Sequence, residues 1–388
     1  ATLAIDTMFK QMRADGLDVI GFGAGEPDFP TPDHIKEAGI QAIQNNDTKY
    51  TPSAGTVELR KAVCQRLKED CGVDYEPSQI SVSSGAKPCV YTALRALVDP
   101  GDEVILPAPY WVSYIELIRM VGGVPVVVEA SEAEHFKITP EKLAAAITPK
   151  TKCMILNNPS NPTGMVYTAE ELRALADVCL KHDLYIIADE IYYKLLYDGV
   201  TFTSIAALSP EIKAHTILIN GVSKSYAMTG WRIGYLAAEP EVVKVISRYV
   251  SHSTGNPSAP AQAAAVEALS GPQEDVEIMR QAFEKRRSAM VKGLNALPGI
   301  SCLTPHGAFY VMMNISEWIG KTLFGEVIQD ENHFASLLLT KGKVCLVPST
   351  GFGVPGFLRW SYATSMENID RLEQFLIEGD AFGSRSEK

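Results

Sequence analysis

Long apolar runs are missing from this sequence. None approaches the roughly 20 residues that a bilayer-spanning helix needs, so no membrane span is expected. A basic excess is missing too. Lys and Arg number 35 against 46 Asp and Glu, a formal net charge of -11, whereas a general nucleic-acid binder is normally basic. A small anionic substrate stays open, because a few local cations outweigh the global charge at one site. Cysteine is sparse. The seven residues (Cys64, Cys71, Cys89, Cys153, Cys179, Cys302, Cys345) are scattered, odd in number and never spaced as C-x-x-C. That supports neither a zinc site nor a disulfide framework, so no metal is expected. The thiols read as reduced and buried, in a cytoplasmic protein. Ala1 to Asp15 lacks the basic-then-apolar layout of a signal peptide. The absent initiator Met points to a trimmed or incomplete N-terminus.

What is present is an ordinary globular composition, 46% hydrophobic and 21% charged, over 388 residues. That length is enough for a large core and about two domains. Short apolar runs alternate with helical patterns. Ile80–Val82 precedes a predicted helix over Ala86–Leu97, Glu103–Leu106 one over Tyr110–Val121, and Lys152–Leu156 one over Thr168–Lys181. Thr168 and Glu171 stand at the spacing of a capping box. Leu184–Ala188, Thr216–Ile219 and Ile233–Ala237 are further strand-like runs. Such alternation predicts an α/β fold with a mostly parallel sheet flanked by helices. Function in such sheets gathers at the carboxyl ends of the strands. A long helical pattern over Val276–Leu297 then leads to strands at Gly307–Ile315, Val344–Val347 and Phe357–Ser361, and to a closing helix over Met366–Leu376. The chain is expected to fray from Gly383.

One segment carries most of the chemistry. The apolar run Thr216–Ile219 ends in Asn220-Gly221-Val222-Ser223-Lys224-Ser225, and Arg232 follows eight positions after the lysine. Lysine has the one side-chain amine that condenses with an aldehyde, and serine and arginine are natural grips for a phosphate. Together they point to a phosphorylated aldehyde, pyridoxal 5'-phosphate. Asp189 stands where the run Leu184–Ala188 stops, placed to keep a pyridine nitrogen protonated. Ser83-Ser84-Gly85-Ala86-Lys87 joins a strand to a helix, where close backbone approach and free N–H groups suit an anion. The run Gly21-x-Gly23-x-Gly25 lacks the full dinucleotide fingerprint and its following helix, so that reading is rejected.

The pattern S-K-x-x-x-M-x-G-W-R-x-G over Ser223–Gly234, read with the segments around it, resembles class I aminotransferases, and bacterial aspartate aminotransferases most closely. The resemblance covers nearly the whole chain. It implies a pyridoxal-phosphate-dependent transferase fold with a mostly parallel seven-stranded sheet in a large domain, 30–279. Residues 1–29 and 280–388 would form a smaller α/β domain. It implies that Lys224 holds the cofactor and acts as base, Asp189 faces the ring nitrogen, and Tyr192, chosen over Tyr193 by a D-E-x-Y pattern, faces the phenolic oxygen. Gly85, Ala86, Ser223 and Arg232 would hold the phosphate. Tyr50, in Lys49-Tyr50-Thr51-Pro52-Ser53-Ala54-Gly55, would reach a phosphate held by the partner subunit of a homodimer. Trp111, in Ala108-Pro109-Tyr110-Trp111, would stack on the ring, and Asn161, in Asn157-Asn158-Pro159-Ser160-Asn161-Pro162-Thr163-Gly164, would bond the phenolic oxygen and the substrate.

Amino-acid and keto-acid substrates bring an α-carboxylate, best gripped by a bidentate arginine. Arg359, in Phe357-Leu358-Arg359-Trp360-Ser361-Tyr362-Ala363, matches the family residue for that task, and Gly25 a backbone position that closes over the substrate. One subgroup takes the distal carboxylate with an arginine of the partner chain, but Ser251–Asn256 has none. The other subgroup uses a lysine after the phosphate turn, the place of Lys87. The expected activity is aspartate aminotransferase. Alanine, aromatic or prephenate specificity, a carbon–sulfur lyase, a ligand-binding regulator and a cofactor-free Schiff-base enzyme are the alternatives.

Overall fold

The computed structural model describes residues 2–371, without the side chains of Thr2, Leu3, Ala4 and Asp6. Seven strands form the main sheet: β1 (Ile80–Ser83), β2 (Glu103–Ala108), β3 (Val124–Glu129), β4 (Thr151–Asn157), β5 (Tyr185–Asp189), β6 (Thr216–Gly221) and β7 (Gly234–Ala237). Their order is β1-β7-β6-β5-β4-β2-β3. Neighbours from β6 to β3 are parallel, and only β7 runs against its two partners. The central strands are buried at nearly every position, which is why they read as continuous apolar runs rather than alternating ones. β3 was not expected. It is the outer edge strand, with exposed valines.

Helices cover the sheet, among them α1 (Val57–Cys71), α2 (Ala86–Leu97), α3 (Ala169–Lys181) and α4 (Ala259–Ser270), and α5 (Glu274–Asn295) packs on a second sheet. Local signals set their ends. Thr168 caps α3 and Glu171 returns the bond, the capping box read from the sequence. α2 starts after Gly85, whose φ of 105° only glycine adopts readily. The helix expected over Tyr110–Val121 spans only Ser113–Met120. Before it, the Tyr110 N–H bonds to the Phe352 carbonyl at 3.0 Å.

A second sheet has the order β10 (Val347–Pro348), β11 (Phe357–Ser361), β9 (Tyr310–Asn314), β8 (Ser301–Cys302), all antiparallel. The strand expected over Val344–Val347 is split because the chain changes partner. Val344–Cys345 pairs in parallel with Ile20–Gly21, and β10 pairs with β11. Within Gly307–Ile315 only β9 is extended; the backbone turns at Ala308, with φ 59°. The core around this sheet includes Phe22, Phe283, Phe309, Leu358 and Trp360, all fully buried. Helix continues over 366–371; the rest of the expected closing helix, and the expected fraying, lie outside the described residues.

Candidate active site

The carboxyl ends of β4, β5 and β6 open onto one cavity of about 490 Å³. Lining it are Gly25, Ala86, Lys87, Trp111, Asn161, Asp189, Tyr192, Ser223, Lys224, Arg232 and Arg359. Eleven of the thirteen residues singled out in the sequence therefore meet at one place. Gly85 does not border the cavity but lies behind Arg232, where an added Cβ would stand 2.2 Å from Nη2. Tyr50 is outside it altogether. It is 99% exposed on the surface, in a recess shared with Asn256, Pro257 and Ser258.

Lys224 sits in the loop after β6 and donates from Nζ to the Gly25 carbonyl at 2.5 Å. Burial strips water from its ammonium and pushes its pKa down to about 8; Arg359 and Arg232 add repulsion, against the pull of Glu26 and Asp189. The amine therefore gives up its proton far more readily than an ordinary lysine. Asp189 ends β5, fully enclosed, and burial raises its pKa. Two donors work against that rise: the Tyr114 hydroxyl at 2.6 Å from Oδ2 and the Ile191 N–H at 3.2 Å from Oδ1. Glu190 points elsewhere, to Ser204 and the Ile205 N–H.

Asn157 ties the floor together. Its Nδ2 donates to the Asp189 carbonyl at 2.9 Å and its Oδ1 accepts the Asn161 N–H at 2.7 Å. Asn161 in turn accepts from Arg359 Nη1 at 3.1 Å, and Nη2 donates to the Gly23 carbonyl at 2.9 Å. Arg359 is buried on β11, between β10 and β9. Its guanidinium lies 4.4 Å from the Tyr310 ring centre, and its Nε has no partner. Tyr310 also shares a hydrogen bond with Tyr192, hydroxyl to hydroxyl at 3.1 Å. Arg232 donates to the carbonyls of Thr229 and Ser84. Neither arginine is paired with a carboxylate among the described residues. Arg359, a buried cation with only neutral acceptors, is a ready anion site, and the exposed Arg232 borders the same cavity. Lys87 stands 4.9 Å from the ring centre of Trp111, which meets Tyr114 edge-on.

A family model described as aminotransferase class I and II matches residues 17–376. The chain belongs to the class I and II aminotransferases. It is 52% identical over 380 residues to an aspartate aminotransferase of Geobacillus stearothermophilus, covering 97% of this chain and 96% of the relative. An aspartate/prephenate aminotransferase of Cereibacter sphaeroides is 48% identical over 368 residues, covering 94% and 92%. The crystal structure of the aspartate aminotransferase from Rhizobium meliloti superposes with a TM-score of 0.95 at 41% identity, covering 99% of this chain and 96% of that one.

Aminotransferases of this class use pyridoxal phosphate and act on amino and keto acids. The residues here fit that cofactor. A buried acid lacks a bonded cation, an amine has a lowered pKa, and two arginines lack carboxylate partners. The backbone at Gly85 leaves no room for a side chain beside Arg232. No cluster of His, Cys, Asp or Glu able to hold a metal occurs among the described residues. No helix among them is long and apolar enough to cross a membrane.

Tyr114, Asn157 and Tyr310 also line the cavity, and none of them is among the residues that the sequence marks out. Tyr114 follows Trp111 at helical spacing, a signal that was available. Asn157, at the head of an Asn-, Pro- and Gly-rich loop, reads as a turn residue. Tyr310 sits in an apolar strand and reads as core, with no signal to find it.

Proposed function

We propose that this chain is an aspartate aminotransferase, which transfers the amino group of L-aspartate to 2-oxoglutarate and gives oxaloacetate and L-glutamate. The observation that carries this is the pair of cations, Arg359 and Lys87, on the same cavity as the amine of Lys224. A dicarboxylic substrate has two carboxylates to satisfy, and this cavity offers one cation for each. The names of the relatives point the same way.

Pyridoxal phosphate, when bound, supplies the aldehyde that accepts the amino group and a ring that withdraws electrons. The protein does the rest. Arg359 binds the substrate α-carboxylate through its guanidinium fork, with Asn161 fixing the plane of the fork. Lys87 attracts the distal carboxylate. Lys224 Nζ, once freed, takes the proton from the substrate Cα as a general base; a pKa of about 8 suits that task. Asp189 holds a proton at the ring nitrogen. Tyr192 and Asn161 donate to the phenolic oxygen, and Trp111 covers one ring face. Ser223, Arg232, Ala86 and the turn at Gly85 receive the phosphate, using the free N–H groups at the start of α2. Gly25 closes over the substrate. Donor and acceptor use the site in turn, giving ping-pong kinetics.

Two larger features belong to the same reading. Residues 30–279 form the large domain, and 1–29 with 280–388 the small one, which moves with Arg359 when a carboxylate binds. Two copies form a homodimer in which Tyr50 of each reaches the phosphate of the other. Support for this is the full exposure of Tyr50. Its recess also adjoins, through Ser258 and Pro260, a second recess bordered by Arg232 and Ser84. The seven free thiols agree with a reducing, cytoplasmic setting.

A second reading has one observation in its favour. The Cereibacter sphaeroides relative carries the name aspartate/prephenate aminotransferase, and apolar groups such as Phe352, Val347 and Ile5 also line the cavity. Rates with aspartate, phenylalanine and alanine as donors, and with a prephenate acceptor, test the choice. A preference for an aromatic donor over aspartate would overturn the dicarboxylic reading.

A further inference from the structure

Gln262 is a polar side chain in an apolar place. It lies on α4, a helix whose buried face is otherwise Ala261, Ala264, Ala265, Ala268 and Leu269, and it is 1% exposed. A buried amide is costly unless its hydrogen bonds are made. Here three bonds are made to two separate stretches of chain, the loop before α1 and Pro257. Oε1 accepts the Thr56 N–H at 2.8 Å. Nε2 donates to Thr51 Oγ1 and to the Pro257 carbonyl, each at 3.0 Å.

The bond to Thr56 has a local reason. Thr56 is the N-cap of α1, and its hydroxyl accepts the Leu59 N–H at 3.3 Å. In a capping box the side chain three residues on would take the N-cap N–H in return. That residue is Leu59, which has nothing to offer, so Gln262 completes the box from another helix. The loop before α1 has one more anchor, the Val82 N–H on the Ala54 carbonyl at 3.0 Å. It lies so flat that a Cβ on Gly55 would stand 2.6 Å from Val82 and 3.3 Å from Gln262 Oε1.

Tyr50 is the residue just outside these anchors. It stands free in the surface while Thr51, beside it, is bonded to Gln262. The opposite wall of its recess, Asn256–Pro260, is held by the same amide through Pro257. That wall continues to the recess bordered by Arg232. In a two-fold dimer the same patch both gives Tyr50 and receives it, so both parts must keep their spacing. We infer that Gln262 is a positioning residue for the shared site: one buried amide sets the Tyr50 loop and the wall that receives the partner's Tyr50. This rests on the homodimer reading above and names the residue that makes it possible.

The test uses the full-length holoenzyme and a double-mutant cycle. Gln262→Leu keeps the volume and loses all three bonds. It is expected to weaken pyridoxal phosphate about tenfold, the same loss expected for Tyr50→Phe from one charged hydrogen bond. The double variant should be no weaker than Tyr50→Phe alone. Hydrogen exchange at Thr56 should rise at least tenfold, and the dimer dissociation constant should rise. Gln262→Asn keeps the amide but shortens its reach, so it should move the same quantities less; it serves as the test if the leucine variant does not fold. If Tyr50→Phe weakens the cofactor but Gln262→Leu changes it less than twofold, or the two effects add, the inference fails alone. If Tyr50→Phe itself has no effect on the cofactor, the shared-site reading fails, and this inference with it.

Discussion

The phenolic hydroxyl of Tyr114 donates to Oδ2 of Asp189 at 2.6 Å, inside a site where neither group meets bulk water. Without this donor the buried carboxylate would keep only the Ile191 N–H and would bind a proton more readily. Tyr114→Phe removes the hydroxyl and leaves the ring against Trp111. A hydrogen bond to a charged group contributes about 1.5–3 kcal/mol, so cofactor affinity should fall by roughly tenfold or more. The pH profile of the bound cofactor's absorbance should also shift. An unchanged profile with unchanged affinity would show that the contact is only packing.

Asp189 itself should destabilise the protein free of cofactor. Burial raises its folded pKa above the unfolded value, so the folded state binds the extra proton and stability falls as pH climbs from the unfolded carboxyl range, about 3.9, through the raised value. Asp189→Asn removes that burden. The expected outcome is a cofactor-free protein more resistant to urea at neutral pH, yet unable to keep pyridoxal phosphate. Lower resistance to urea would contradict it.

Lys224 titrates in the opposite sense. Its folded pKa of about 8 lies below the unfolded value of about 10.4. The buried charge therefore costs stability below pH 8, and that cost is relieved as pH rises across the interval. Amine-selective labelling of the cofactor-free protein, followed by peptide mapping, should show Lys224 half-reactive near pH 8. Borohydride treatment of the holoenzyme should tag the same peptide. Lys224→Ala should lose at least 10²–10⁴-fold in turnover, the usual share of a positioned base, while still binding cofactor. Near-normal turnover would refute its role.

Much of this site was legible because its chemistry is concentrated at strand ends. Asp189 and Lys224 each follow an apolar run, and those runs are β5 and β6. What was not legible came from long-range packing. Tyr310 is an apolar-strand residue until the fold sets it against Arg359 and Tyr192. β3 and the split at Val344–Val347 depend on which strand lies alongside, which no local pattern states.

Arg359 and Lys87 should separate kinetically. Arg359→Gln leaves the α-carboxylate of any substrate without its fork. Loss of one partner from a buried charge pair costs about 2–5 kcal/mol, so kcat/KM should fall about 30-fold or more for aspartate and phenylalanine alike. Lys87→Leu removes only the distal attraction. It should reduce kcat/KM for aspartate about tenfold or more and leave alanine within a few-fold, since alanine has no second carboxylate. Equal losses for both substrates would assign Lys87 to the cofactor instead.

Gly85 offers the sharpest steric test. Its φ of 105° and ψ of 168° lie where side chains are strained by about 1–3 kcal/mol. A Cβ there would also stand 2.2 Å from Arg232 Nη2 and 3.0 Å from Cζ. The guanidinium is the far end of a flexible side chain, so it can swing away, and the fold should survive Gly85→Ala with a lowered melting temperature. The displaced Arg232 then abandons the Thr229 and Ser84 carbonyls that aim it. Affinity for pyridoxal phosphate should drop at least tenfold, while affinity for pyridoxal, which has no phosphate, should change far less. Equal weakening of both would mean that the turn shapes the whole cavity rather than holding the anion.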